Sequence, residues 1–289
     1  MSDNQLIGLA EDFFQNSLDS SPTSAIMRGH KKYFDQIEEL TEDQFQKEKE
    51  TVDNFIQRLN AIEKDNLTSR EQVTHGMLEF ALSSNQDSLL DRSWEFGAGV
   101  SGFTGFLIDY NQQMFVPDSE SADMMLKRLE LYKRLYTQIA EVQKEGLNNN
   151  RVATERNLLR TIDQLENYLA SSLDQDPLLL VNFSPEIPGS EISEWKDKAK
   201  NIIEANIRPT VSAYLDQLKT EHLPKGRGDD KCGIMWIDGG EESYLRSLRK
   251  YTGHKATTVK EVHEIGLSEI ERLKKEFFEI GKNVFDGVD

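Results

Sequence analysis

"MLKRLELYKRLYTQIAEV", residues 125 to 142, sets apolar or aromatic side chains at Met125, Leu129, Tyr132, Tyr136, Ile139 and Val142. Steps of three and four residues gather such positions on one side of an α-helix, because about 3.6 residues complete a turn. The spacing predicts a long amphipathic helix with one face in a core. Similar stripes recur at Val52, Phe55, Ile56, Leu59 and Ile62, and at Leu158, Ile162, Leu165 and Leu169. Val73, Met77 and Phe80 form a shorter one.

Helix-start signals accompany the stripes. Thr41 with Gln44, Ser69 with Gln72, and Thr258 with Glu261 have capping-box spacing, in which the hydroxyl and the side chain three residues on satisfy free backbone N–H groups. The stretch from 190 to 222 is periodic too, but its stripe drifts after Pro209, where a donor is missing and a kink or break is expected. These signals predict an all-α chain, an elongated multi-helix assembly with at most a few short strands.

Three segments resist the helical pattern. Residues 88–120 carry Gly97, Gly99, Gly102, Gly105 and Pro117. Residues 173–190 carry three prolines around "LLLVNF", and 223–240 include "PKGRGDDKCGIMWIDGG". All three read as loops that could include short strands, and long loops on a helical frame often carry function. The expectation is a single helical region over 1–289 with sub-boundaries near 88–120 and 223–240.

Composition narrows the function. The 289 residues are 37% hydrophobic and 29% charged, ordinary for a globular chain. Lys and Arg total 34 against 51 Asp and Glu, a net charge of −17 whose field repels nucleic acid and anionic membranes. Cys232 is the sole cysteine, so no internal disulfide can form, and "MSDNQLIGLAEDFF" at the start lacks the basic and apolar regions of a secretory signal. A cytoplasmic, non-membrane chain is expected.

Several motifs suggest chemistry without completing it. "GAGVSG" at 97–102 has the glycine spacing of a dinucleotide loop, but "DRSWEF" before it makes a poor strand, and a flexible loop is the better account. His30, His75, His222, His254 and His263 are scattered with no pair at metal-ligand spacing. "VHEIGLSEI", 262–270, holds His263 and Glu264 as the first half of a His-Glu-x-x-His zinc signature, but Leu267 stands where the second imidazole belongs. On the helical wheel Val262, Ile265, Ile270, Leu273, Phe277 and Ile280 mark a buried face with His263 at its rim, a position for packing or capping. No metal ligand or catalytic residue is therefore assigned. "DGGEESYLRSLRKYTG", 238–253, is the most informative stretch: Gly239 and Gly240 permit close backbone approach, and Tyr244 and Tyr251 share one side of a helix. These four, with Trp236, are either helix-entry packing or the lining of a substrate cleft, and they are the candidate substrate-binding residues.

Taken in order, these features resemble the N-terminal half of the bacterial domain-of-unknown-function family eight-eight-five, whose members look like zincin-type metallopeptidases of largely helical fold. The resemblance rests on Pro22, Ala25, Gly29, His30 and Tyr33 in "PTSAIMRGHKKYFDQIEEL", then "RPTVSAYLDQL", "GGEESYLRSLRKYT" and "TTVKEVHEIGLSEIERL". It implies a zinc-dependent, carboxypeptidase-like hydrolase acting on peptides, with the zinc motif downstream of the "EVHEIGL" helix. No second histidine-bearing helix follows residue 270, so neither zinc nor a catalytic Glu is carried over to any position here. Either the chain is part of a longer enzyme and meets the C-terminal half of the same protein, or it is a short, inactive relative. Phe277, Phe278 and Phe285 near the end favour the longer enzyme. The alternative function is a non-catalytic helical module that binds peptides.

Overall fold

The computed structural model describes residues 2–98, 111–253 and 258–284, and among these the chain is predominantly helical. It divides into two units, Met1–Asp238 and Gly239–Asp289. The first holds α1 (Ser2–Asp19), α2 (Pro22–Met27), α3 (Glu42–Asn60), α4 (Ser69–Asp91), α5 (Ser119–Asn148), α6 (Glu155–Ala170), α7 (Gly189–Ile202) and α8 (Arg208–Gln217). The second holds α9 (Gly240–Thr252) and α10 (Val259–Val284). Two short strands, β1 (Phe115–Val116) and β2 (Asn182–Phe183), pair in parallel with Phe115 opposite Asn182. Both lie inside the segments whose proline and glycine content had marked them as loops, and the all-α expectation holds.

The α5 stripe forms the centre of the larger core. Met125, Leu129, Tyr132, Leu135 and Tyr136 are almost wholly buried, with Leu158, Ile162 and Leu165 of α6 in the same cluster. α5 packs on α7 and α8, and α6 on α8. A smaller core joins Leu6 and Leu9 of α1, Val52, Phe55 and Leu59 of α3, and Leu78 and Leu82 of α4.

Two expectations about faces require correction. Val73, Met77 and Phe80 are exposed rather than buried, because α4 carries apolar residues on two opposite sides. At about 100° per residue, Leu78 and Leu82 lie roughly 180° from that stripe, and they are the side the core takes. The face of α10 expected to be buried is also exposed along Ile265, Ile270, Leu273, Phe277 and Ile280. Periodicity reports that a helix has an apolar side, not that the chain covers it.

Capping follows the sequence with one shift. Thr41 Oγ1 accepts from Gln44 N at 3.2 Å, and Thr258 with Glu261 makes the reciprocal box. α4, however, is capped by Thr68 with Glu71 rather than Ser69 with Gln72. Both pairs have the required spacing, and the ionised carboxylate is the stronger acceptor for a helix N-terminus.

The expected break at Pro209 is replaced by a widened turn. α7 passes through a π turn, Ile203–Ile207, into α8, and a second π turn, Leu218–His222, follows. The buried residues explain both turns: Trp195, Ala199, Ile203, Ile207, Val211 and Leu215 recur every four residues through the first, and Tyr214, Leu218 and His222 do so through the second. In a regular α-helix that spacing drifts about 40° per step and would carry Leu215 away from the face of Trp195. A turn with i→i+5 bonding takes up an extra residue and brings the stripe back. Pro209 then stands where the regular ladder is already interrupted, so its missing N–H breaks nothing further.

Two predictions follow from these faces and caps. Leu78→Ala should destabilise the protein by about 2–5 kcal/mol, whereas Met77→Lys beside it should stay within about 0.5 kcal/mol. Denaturant titration checks this, and a large loss in Met77→Lys would restore the face expected from the stripe. Asp118 caps α5 through Ser121 N at 2.8 Å, and Lys31 lies 2.5 Å from its carboxylate. Lys31 first, and then Ser121, hold the Asp118 carboxyl at about 2. A depressed carboxyl stabilises the fold above its ordinary value near 4 and loses that contribution as pH falls toward the folded value. NMR titration of Asp118 should give a midpoint near 2 that rises in Lys31→Met, with the anchor intact above about pH 4 and lost between 4 and 2. An unmoved midpoint in the variant would remove Lys31 as the cause.

Candidate functional site

Trp236, the first residue of the predicted site, is held by backbone rather than by a pocket wall. The irregular run 223–238 is stapled to the start of α6: Arg227 N donates to Ala153 O at 3.1 Å and Glu155 N to Arg227 O at 2.8 Å. The Arg227 guanidinium reaches Val152 O at 2.8 Å, Lys231 O at 2.7 Å and Gly233 O at 2.6 Å, satisfying three carbonyls that no helix reaches. Gly226 suits this close approach, since a Cβ there would sit 3.0 Å from both Glu155 Cα and Leu158 Cδ1. On this platform the Trp236 ring is 47% exposed, with Lys231 Nζ 5.5 Å from its centroid, while Ile237 is buried.

In the second unit Gly239 takes φ +69°, the left-handed conformation for which glycine is suited, and precedes α9. Gly240 is buried at the first position of that helix. Tyr244 is 46% exposed and Tyr251 86% exposed. Trp236 and these four residues thus fall on the two sides of the division at Asp238, each positioned within its own unit.

The end of the first unit is fixed by a charge cluster that sequence reading did not identify. Glu95 is buried, its side chain 2% exposed. Arg92 Nε contacts one carboxylate oxygen, and Arg151 Nε lies 2.5 Å from the other, an ion-pair contact rather than an aligned hydrogen bond. Arg151 also donates to Asp238 O and Asp91 O, and Asn150 Nδ2 donates to Asp238 Oδ1 at 3.0 Å. One guanidinium therefore ties the C-terminus of α4 to the residue preceding Gly239. Arg92, at φ +44°, adds paired bonds to Glu42 at 3.1 and 2.8 Å and lies 5.9 Å from the ring centroids of the stacked Phe45 and Trp94. Gly146 makes the approach of Glu95 feasible: a Cβ there would fall 2.7 Å from Glu95 Cβ and closer still to its carbonyl oxygen. Lone buried charges are unreadable in sequence because Glu and Arg are mostly surface residues.

The motifs shared with the resembled family also have structural roles. Tyr33 donates to Asp19 at 2.6 Å and accepts from Gln15 at 2.7 Å, holding the Asp19 carboxyl below its ordinary value. Gly29 takes φ +86° in the turn before it. Arg208 of "RPT" binds the wholly buried Asp176 at 3.0 Å and Ser171 O at 2.9 Å. Tyr168 lies beneath that guanidinium, and burial, reinforced by the Asp176 charge, pushes its hydroxyl well above the ordinary tyrosine range.

His75 and His222 are buried, and His263 is exposed on α10. The packing or capping role expected for His263 is not what the structure gives, since Thr258 and Glu261 make the cap. His254, Gly99, Gly102 and Phe285 lie outside the described residues. Among the described residues no group of three His, Cys, Asp or Glu side chains is arranged to hold a metal, and no helix is long and apolar enough to cross a membrane.

Glu95→Ala should cost about 3–5 kcal/mol, because it removes the buried carboxylate that both guanidiniums share and leaves Arg151 with carbonyl partners only. Gly146→Ala should cost about 1–3 kcal/mol by forcing Glu95 away. Chemical denaturation measures both, and a loss below about 1 kcal/mol in Glu95→Ala would show that the cluster anchors nothing.

Comparison with known proteins gives a family and a fold. No curated protein matches the chain. A crystal structure of a protein described as a candidate lipoprotein from Colwellia psychrerythraea is similar at 15% identity with a TM-score of 0.80. The match covers 100% of this chain and 52% of that one, so the chain spans about half the length of the structure it resembles. At that identity the likeness is one of fold. The family described as bacterial protein of unknown function, DUF885, matches residues 22–289, and the chain belongs to it.

Proposed function

We propose that this chain is the N-terminal helical scaffold of a longer zinc-dependent peptidase and forms one wall of its substrate channel. The observation that carries the reading is the Colwellia structure, in which a fold matching all of this chain occupies 52% of the polypeptide. The resemblance to zincin-type metallopeptidases supplies the chemical class, hydrolysis of a peptide by water activated on zinc. The described residues do not fit a zinc ion, so no catalytic step is assigned to them. Their part is to position substrate. Trp236, Gly239, Gly240, Tyr244 and Tyr251 are the lining residues of this reading. The exposed rings of Trp236, Tyr244 and Tyr251 offer an apolar body with a hydrogen-bonding edge, a combination suited to peptides. The net charge of −17 favours substrates with a basic terminus or side chain.

The test is made on the protein from the complete reading frame and on residues 1–289 alone. The complete protein should carry about one zinc per chain and cleave peptides, and chelation should abolish cleavage. The 289-residue piece should do neither. Stoichiometric zinc held by the piece itself, or a complete protein with neither zinc nor hydrolysis, overturns the reading. In the complete protein Tyr244→Phe should raise KM for peptides several-fold, by the loss of one hydrogen bond. Unchanged kinetics across substrates would leave Tyr244 a packing residue.

A further inference from the structure

The most extended exposed apolar surface among the described residues is one side of α10. Gly266, Ile270, Leu273, Phe277, Ile280 and Val284 follow one another at alternating steps of four and three residues. This is the a/d repeat by which a helix presents a seam to another helix, sustained here over about 27 Å at 1.5 Å per residue. Leu273 is 40% exposed and Phe277 73% exposed. A Cβ at Gly266 would meet no atom within 4 Å, so the seam is open at the point where glycine would allow the closest approach of a second backbone. Away from the seam the surface carries local pairs, Arg272 with Glu269 at 2.7 Å, Lys274 with Glu271 at 2.9 Å, and Lys282 with Glu279 at 3.3 Å, together with the exposed Ile265, Leu267 and Phe278. The pairs solvate the outer faces and hold the helix together without help from packing. A helix that is capped, paired on its outside and apolar along one heptad seam is built to be covered on that seam.

We propose that the seam of α10 is the docking surface for a helix in the second half of the longer polypeptide. The inference rests on the reading above that this chain is one part of such a protein. The alternating steps call for a helical occupant, because a strand or loop has no matching period. The Colwellia chain, of which the matching fold is 52%, leaves nearly as much polypeptide again to supply one. A second copy of this chain is the poorer occupant, since each copy brings a charge of −17 and the two repel.

The experiment uses the complete protein in a Cys232→Ser background, with one new thiol introduced at a time by F277C, I270C or K275C. Positions 277 and 270 lie on the seam, and 275 lies on the opposite side. The rate of maleimide labelling is read by mass spectrometry. A helix docked on the seam should slow F277C and I270C about a hundred-fold relative to K275C, because reaction then requires local opening. That ratio should not depend on protein concentration, and in residues 1–289 alone the three positions should label at similar rates. Equal rates in the complete protein overturn the proposal. So does protection that vanishes on dilution together with a dimeric mass in sedimentation, which assigns the seam to a second copy. A native protein of 33.1 kDa would overturn it as well, since no second half would exist. Failure to find zinc or hydrolysis leaves these labelling ratios untouched, so loss of the peptidase reading and loss of the docking reading are told apart.

Discussion

Backbone carbonyls that no helix can satisfy set the constraint on which this structure depends. The connections between its helices are irregular, and a buried carbonyl without a donor costs about 1–3 kcal/mol. Arginines answer several of these sites. Arg128, wholly buried in α5, donates to Gln36 O and to Thr23 Oγ1, and Thr23 in turn donates to Glu38. Arg151 serves Asp91 and Asp238, Arg208 serves Ser171, and Arg227 serves two carbonyls of its own loop and that of Val152 ahead of α6. A guanidinium has five donors in a fixed plane and keeps its charge when buried, so one side chain can serve two segments. The carboxylates of Glu95 and Asp176 are buried beside two of them and offset the desolvation that such placement costs.

This explains why the helices were legible and their connections were not. The stripes of α3, α5 and α6 face one side only, so periodicity alone gives their buried faces. α4 defeats the same reading because Leu78 and Leu82 oppose Val73, Met77 and Phe80 with equal apolar character, and only the positions of α1 and α3 decide between them. The cap at Thr68 was ambiguous for a similar reason, since two overlapping pairs have the same spacing. The buried Arg and Glu residues left little local signal, because Arg151 and Glu95, Arg208 and Asp176, and Arg128 and Thr23 lie tens of positions or more apart, while the near pair Arg92 and Glu95 has the spacing of any surface ion pair on a helix.

The candidate site divides along the same line. That Gly239 would need freedom of backbone was readable from the Gly-Gly pair ahead of a helix, and its positive φ agrees. What fixes the approach to it was not readable: Asn150 and Arg151, about 90 residues earlier, bond Asp238 directly, and Arg151 is itself paired with a Glu95 whose backbone packs against Gly146.

The two widened turns between Ile203 and His222 bear on how this frame can change. Each holds one residue more than the helix needs, placed where a stripe with a period of four would otherwise wind off the core. Deleting a residue from the first leaves a regular helix that points Val211, Tyr214 and Leu215 toward water, whereas a deletion in an exposed loop leaves the core in phase. Chain length in this region is therefore set by rotation as much as by reach, and lineages of this fold should conserve the count of residues between Trp195 and His222 more strictly than the residues themselves.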